Sequence, residues 1–279
     1  MWRGRYLKII IGGLIFGFLV IAGIFAPYIS PHDPLEQNLK NNLKPPAVTI
    51  DGDWENTLGT DNLGRDLLSR IIYGSRISLL VGVISVSIAV VLGSLFGSIA
   101  GYFGGYVDEL IMKVVEIFLA FPFLLLAIVI MAFLGQGVDN LILALVLSRW
   151  VHFCRIVRGE VLILKERDHV MAAKALGAKN SYIIGRHILP NTIPTVIVVA
   201  TFAMALVIIY EASLSFLGLG VPASIPTWGS MLSEGRSYMY RAPWLCIFPG
   251  LAIFVTVLGI NLLGDGLRDL FDPRMKGQQ

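Results

Sequence analysis

Long apolar stretches fall at residues 9–29, 77–100, 110–134, 141–157, 192–217 and 244–263, separated by segments rich in Pro, Gly, Asn, Asp and basic residues. Crossing about 30 Å of hydrocarbon takes roughly 20 apolar residues in helical form. Helices suit that medium because each satisfies its own backbone N–H and C=O groups where no water is at hand. The pattern predicts an all-α, polytopic membrane protein with six transmembrane helices.

The first stretch follows Arg3, Arg5 and Lys8, as a secretory signal would, but it is longer than a signal's apolar region and ends at Ala26-Pro27, a poor cleavage junction. It is read as an uncleaved first span. Residues 30–76 are polar, and within them 63–72 place Leu67, Leu68, Ile71 and Ile72 on one helical face, which predicts a short helix on the membrane surface. Pro122 predicts a kink in the third span. The expected organisation is therefore 1–29 (N-terminus and first helix), 30–76 (external loop with surface helix) and 77–279 (a five-helix core). That core contains a polar loop at 158–190 and a polar tail at 264–279.

Basic residues set the orientation, because loops rich in Lys and Arg stay in the cytoplasm. With the N-terminus inside, the cytoplasmic segments carry Arg3, Arg5, Lys8, Lys113, Arg155, Arg158, Lys165, Arg167, Lys174, Lys179, Arg186, Arg268, Arg274 and Lys276. The opposite set, Lys40, Lys44, Arg65, Arg70, Arg76, Arg236 and Arg241, is spread over longer loops. Both termini are expected in the cytoplasm.

Composition agrees with the membrane reading: 15% of the 279 residues are charged, against about 25% in soluble domains, and the mean hydropathy is +0.75. A net charge of +3 without a Lys/Arg run gives no sign of a nucleic-acid partner. Cys154 and Cys246 are expected near opposite faces, so no disulfide is expected. His32, His152, His169 and His187 are scattered, and neither a His-Glu-x-x-His nor a Gly-x-Ser-x-Gly motif supports a hydrolase. A central Arg costs roughly 2.5 to 3.5 kcal/mol to insert, which singles out Arg149 in the fourth span. It is expected to face a wet cavity, as a pathway or gate residue, or to pair internally with Glu116 or Glu211. Asp66 and Arg70, at i and i+4, read as an exposed pair, and Trp228 and Trp244 as headgroup anchors.

The loop between spans four and five reads as two short helices. Asp168 is placed to cap the first, Gly177 to end it in the left-handed conformation, and Asn180 or Ser181 to cap the second, which stops before Pro190. Ala172, Ala173 and Ala175 leave a surface that another protein can approach closely; the alternative is an ordinary connector whose alanines favour helix.

Ala172-Ala173, Gly177 and His187-Ile188-Leu189-Pro190 resemble the Glu-Ala-Ala loop of permease subunits in binding-protein-dependent ABC importers, with Met171 at the position of that family's Glu. Three further segments resemble the C-type permeases of its dipeptide, oligopeptide and nickel branch. These are 58–79 (Leu58-Gly-Thr-Asp through Arg76-Ile-Ser-Leu79), 211–229 (Glu211-Ala-Ser-Leu-Ser-Phe-Leu-Gly-Leu-Gly220, then Pro226, Trp228 and Gly229) and 264–274.

The resemblance implies a type I ABC importer permease fold and half of a translocation path for peptides or a related solute such as a nickel chelate. It implies a loop that couples to ATPases through Met171, Ala172, Ala173, Leu176, Gly177, Ala178, His187 and Pro190. Arg149 and Glu211 remain the pathway or gate candidates on the cost of intramembrane charge alone. The implied partners are a homologous second permease in a heterodimer, two cytoplasmic ATPase subunits and an extracytoplasmic solute-binding protein. The implied location is a bacterial or archaeal cytoplasmic membrane. No catalytic residue, metal or cofactor is expected in this chain, ATP and Mg being bound by the partners: the sequence has no Gly-x-x-x-x-Gly-Lys-Ser/Thr loop. The competing reading is an ion-gradient-driven secondary transporter or channel, for which neither an inverted repeat nor a cluster of intramembrane carboxylates is evident.

Overall fold

A computed structural model describes residues 2–49, 52–222 and 224–271, with side chains from Tyr6 onward. Of the resembling tail, 272–274 lie outside the described residues, as do the orienting side chains of Arg3, Arg5, Arg274 and Lys276. The helices are α1 (Trp2–Ile24), α2 (Ala26–Ile29), α3 (Leu67–Phe103), α4 (Gly105–Ala120), α5 (Phe123–Leu134), α6 (Val138–Leu164), α7 (Asp168–Ala175), α8 (Asn180–Tyr182), α9 (Leu189–Phe216), α10 (Trp228–Arg236) and α11 (Trp244–Phe271).

Among the described residues five helices are long and apolar enough to cross a bilayer: Tyr6–Ile24, Leu67–Phe103, Val138–Leu164, Asn180–Phe216 and Trp244–Phe271. The pair α4 and α5 makes a sixth crossing if counted as one broken span, bent by 89°. The expected kink at Pro122 is thus a full break. Phe121 is extended (φ −92°, ψ 133°), as steric conflict with the proline ring requires of the preceding residue.

Two expectations about helix boundaries are corrected. The surface helix placed at 63–72 is not separate: α3 starts at Leu67 and continues unbroken into the second span. Two of the apolar side chains that suggested a surface-lying face, Leu67 and Ile71, pack instead in a core that includes Trp228 and Leu245. Likewise, the second helix of the 158–190 loop does not stop before Pro190. A wide π turn, Ile183–Ile188, joins α8 to α9, closed by Leu189 N–H on the Ile184 carbonyl. Pro190 follows directly after that turn, at the start of α9.

The centre of the bundle is the α3–α6 contact, and small residues make it close. A Cβ added at Gly93 would lie 2.3 Å from Phe153 Cβ, at Gly97 2.5 Å from the Cys154 carbonyl, and at Gly101 2.8 Å from Val161 Cβ. Lipid gives two apolar helices little reason to associate, so such glycine stripes, which bring backbones together, carry the packing.

The bundle has two distinct ends. Lys8 Nζ reaches Asp269 Oδ2 at 3.1 Å, joining the start of α1 to the end of α11, and Arg268 and Phe271 line one cavity with Pro194 at the start of α9. Loop 165–188 belongs to this end. The other end carries residues 30–66, the start of α3, and α10. Cys154 and Cys246 are both free thiols.

Candidate functional site

Loop 165–188 is an exposed surface on a firm base. Val170 is its anchor, buried among Val157, Val161, Leu164, Ile183, Ile188 and Val196. Tyr102 Oη donates to Asn180 Oδ1 (2.9 Å) and Lys165 Nζ to the Gly101 carbonyl (3.0 Å), tying the loop to the end of α3. The loop is therefore packed against α3, α6 and α9.

Helix α7 ends as the sequence suggests. Gly177 has φ +81°, its N–H bonds the Lys174 carbonyl, and Ala178 N–H bonds the Ala173 carbonyl. These are the paired bonds of a Schellman motif. The N-terminal caps differ from expectation: Arg167 and Lys179 occupy the cap positions, Asp168 and Asn180 begin the helices, and no side chain accepts a capping bond. Asp168 still places negative charge in the first turn of α7, where the helix dipole favours it.

The turn projects Leu176 outward, 88% exposed, with Met171 47% exposed on the same segment. Ala172 and Pro190 are also exposed, whereas Ala173, Ala178 and His187 are half-buried. The His187 ring stands 6.0 Å from that of His169 and 5.6 Å from that of Tyr182. Two of the scattered histidines thus meet, but no group of three or more metal-ligating side chains occurs among the described residues.

Arg149 lies in α6, buried against aromatic rings rather than a carboxylate. Its guanidinium carbon is 4.9 Å from the Tyr210 ring centroid and 5.4 Å from that of Phe123, and the two rings stack at 3.8 Å. Neither expected partner is there: Glu116 is exposed on α4, and Glu211 is fully buried and receives the hydroxyls of Ser78 (2.8 Å) and Ser215 (2.9 Å). Glu211 thereby bridges α3 and α9.

At the other end, Asp61, Arg65, Arg70 and Glu234 form a compact, internally neutral cluster. Arg65 donates to Asp61 (2.6 Å) and Glu234 (2.7 Å). Arg70, 1% exposed, donates to Asp61 and Glu234. This corrects the reading of Asp66 and Arg70 as an exposed pair: both are buried, and Asp66 instead accepts from the Ser69 backbone N–H and hydroxyl as the cap of α3. The anchor reading fails for Trp228, which is buried and donates to the Ile71 carbonyl; half-buried Trp244 donates to the Thr60 carbonyl. The cluster escaped the sequence reading, although the Asp61–Arg65 spacing of four signalled part of it.

Residues 93–277 match the family model described as binding-protein-dependent transport system inner membrane component. The chain belongs to that family. Residues 9–46 also match the N-terminal TM domain of oligopeptide transport permease C. The chain is 44% identical to the dipeptide transport system permease protein DppC of Alkalihalophilus pseudofirmus, over 99% of this chain and 90% of the relative. It is 43% identical to the di/tripeptide transport system permease protein DppC of Pseudomonas aeruginosa, over 95% and 88%. It is 44% identical to the glutathione transport system permease protein GsiD of Escherichia coli, over 93% and 84%.

In fold, the permease resembles the inward-facing MetNI methionine ABC transporter, with a TM-score of 0.60 and 19% identity over 73% of this chain and 97% of that one. An amino acid ABC transporter gives 0.54, again at 19% identity, over 74% and 94%. The chain is therefore a multi-pass inner-membrane permease subunit with the type I ABC importer fold, of a family whose ATPase activity lies in separate subunits. That membership sets aside the gradient-driven alternative.

Proposed function

We propose that this permease imports peptides, forming half of a path completed by a homologous second permease. Similarity to relatives named for dipeptide, di/tripeptide and glutathione transport supports the substrate class. A binding protein outside delivers the peptide, and two ATPase subunits in the cytoplasm bind ATP and Mg. The joining of the start of α1 to the end of α11 supports an even number of crossings, and the basic residues of loop 165–188 at that same end support its cytoplasmic placement.

The observation that carries the coupling role is the exposure of Leu176 beside a Gly177 turn, on a loop whose other face is anchored by Val170. Large apolar side chains held out from a firm base suit insertion into a groove of another subunit. Met171, Ala172 and Pro190 complete the docking face; Ala173, Gly177, Ala178 and His187 hold its shape. When the ATPases close on nucleotide, the loop passes the motion to α3, α6 and α9 as a rigid lever. Glu211 takes part as a gate element, because its bonds across the α3–α9 interface must rearrange if those helices slide. Arg149 lines the path.

Leu176→Asp tests the reading. The variant is expected to insert at the normal level, lose most ATPase co-purification and lose peptide uptake in membranes. Normal uptake by this variant would refute the docking role.

A further inference from the structure

The break between α4 and α5 opens a cavity of about 270 Å³ lined by Phe121, Phe123, Ser148, Arg149, His152 and Tyr210, among others. Arg149 is 8% exposed, its Nε has no hydrogen-bond partner, and no ion pair among the described residues includes it. The stacked Phe123 and Tyr210 rings offset part of the cost of that charge through their π faces, and the Tyr210 hydroxyl takes one of the five guanidinium N–H donors. That leaves the guanidinium without a carboxylate and its Nε–H without an acceptor, at the wall of an open space.

Helix α5 adds positive potential at the same place. Its first hydrogen bond runs from Leu126 N–H to the Pro122 carbonyl (3.1 Å). The amides of Phe123, Leu124 and Leu125 therefore begin the helix without an intrahelical acceptor, and the dipole of this 12-residue helix directs its positive end to the break. An unpaired guanidinium and the start of a broken helix at one cavity select a planar anion that accepts several N–H bonds. Phe121, Phe123 and Tyr210 provide apolar wall for whatever is attached to it.

We propose that this cavity is the subsite that receives the C-terminal carboxylate of a peptide during transit. The proposal rests on the peptide-permease reading above and adds a recognition element inside the membrane, distinct from selection by the binding protein. Arg149 supplies the charge-assisted bonds, the start of α5 supplies potential, and the aromatic wall contacts the C-terminal side chain.

The test uses the purified permease pair with its ATPases, without binding protein or nucleotide, and saturable binding of tritiated L-alanyl-L-phenylalanine. The competitors are unlabelled Ala-Phe, N-acetyl-Ala-Phe, which keeps the carboxylate, and Ala-Phe amide, which lacks it. Both acids are expected to displace label at concentrations about tenfold or more below the amide, as loss of a charge-assisted hydrogen bond implies. Arg149→Gln is expected to abolish that preference, Arg149→Lys to keep part of it, and Arg236→Leu to leave it unchanged. Equal displacement by acid and amide in the wild-type complex overturns the proposal, and is the result expected if a carboxylate of the second permease already occupies Arg149. So does a lack of saturable binding. The wild-type comparison decides even if Arg149→Gln fails to assemble. Failure of the permease reading shows separately, as ATPases that do not co-purify or peptide that wild-type membranes do not take up.

Discussion

Arg70 and Glu234 stand 164 positions apart in sequence, yet Arg70 reaches Glu234 with both Nη1 (3.1 Å) and Nη2 (3.3 Å). The contact pins the start of α3 to α10, and Asp61 and Arg65 close the cluster around it. Two guanidinium groups meet two carboxylates, so burial leaves no net charge.

Removing one member of such a cluster strands its partners. Arg70→Met is expected to cost about 3 kcal/mol, the usual penalty for leaving a buried charge unpaired. Asp61→Asn in the same chain should recover part of it. Thermal unfolding of the detergent-solubilised permease measures both; a double variant no more stable than the single one would contradict the account.

Gly93 has no room for a side chain. Gly93→Leu is expected to force α3 away from α6 at Phe153 and to cost at least about 1 to 3 kcal/mol, as overpacking does. Gly159, on α6, has nothing within 4 Å of an added Cβ, so Gly159→Ala is expected to stabilise by about 0.5 to 1 kcal/mol. Size-exclusion profiles of fluorescent fusions after heating would show the opposite signs.

The Gly177 turn requires a left-handed backbone, which a β-branched residue strongly resists. Gly177→Val is expected to strain loop 165–188 by roughly 1 to 3 kcal/mol, leaving the membrane helices intact. Faster hydrogen exchange confined to α7 and α8, with lowered peptide uptake, is the expected readout; unchanged exchange there would contradict it.

Glu211 accepts two hydroxyls in a fully buried setting. Glu211→Gln keeps an acceptor and a size match, and is expected to change stability little. Glu211→Leu leaves both serines without this partner and is expected to cost about 1 to 3 kcal/mol. Unfolding midpoints of the two variants distinguish this bridge from simple space filling, for which Leu would do as well as Gln.

Much of the loop was legible in the sequence, because helix ends are local. The left-handed Gly177 follows from the lack of a Cβ at the point where α7 must stop, and proline's restriction of its predecessor signals a kink at Pro122, though not its full extent of 89°. The continuity of α8 into α9 was not legible, since Pro190 reads as a stop unless a π turn shifts the register. Nor was the burial of Asp66, Arg70 and Trp228: an apolar or charged helical face looks the same in sequence whether it meets solvent, headgroups or another helix.

The sequence by itself determined which stretches belong in a membrane, near which residues the crossings lie and which loop carries the alanines and Gly177. These depend on apolar length against bilayer thickness and on backbone preferences that act over a few residues. Only the tertiary structure decided that Arg149 rests on Tyr210 and Phe123 rather than on Glu211, and that Arg70 joins Glu234. A side chain's partner depends on how distant helices rotate and approach, and here glycines such as Gly93 set that approach through contacts that no window of neighbouring residues contains.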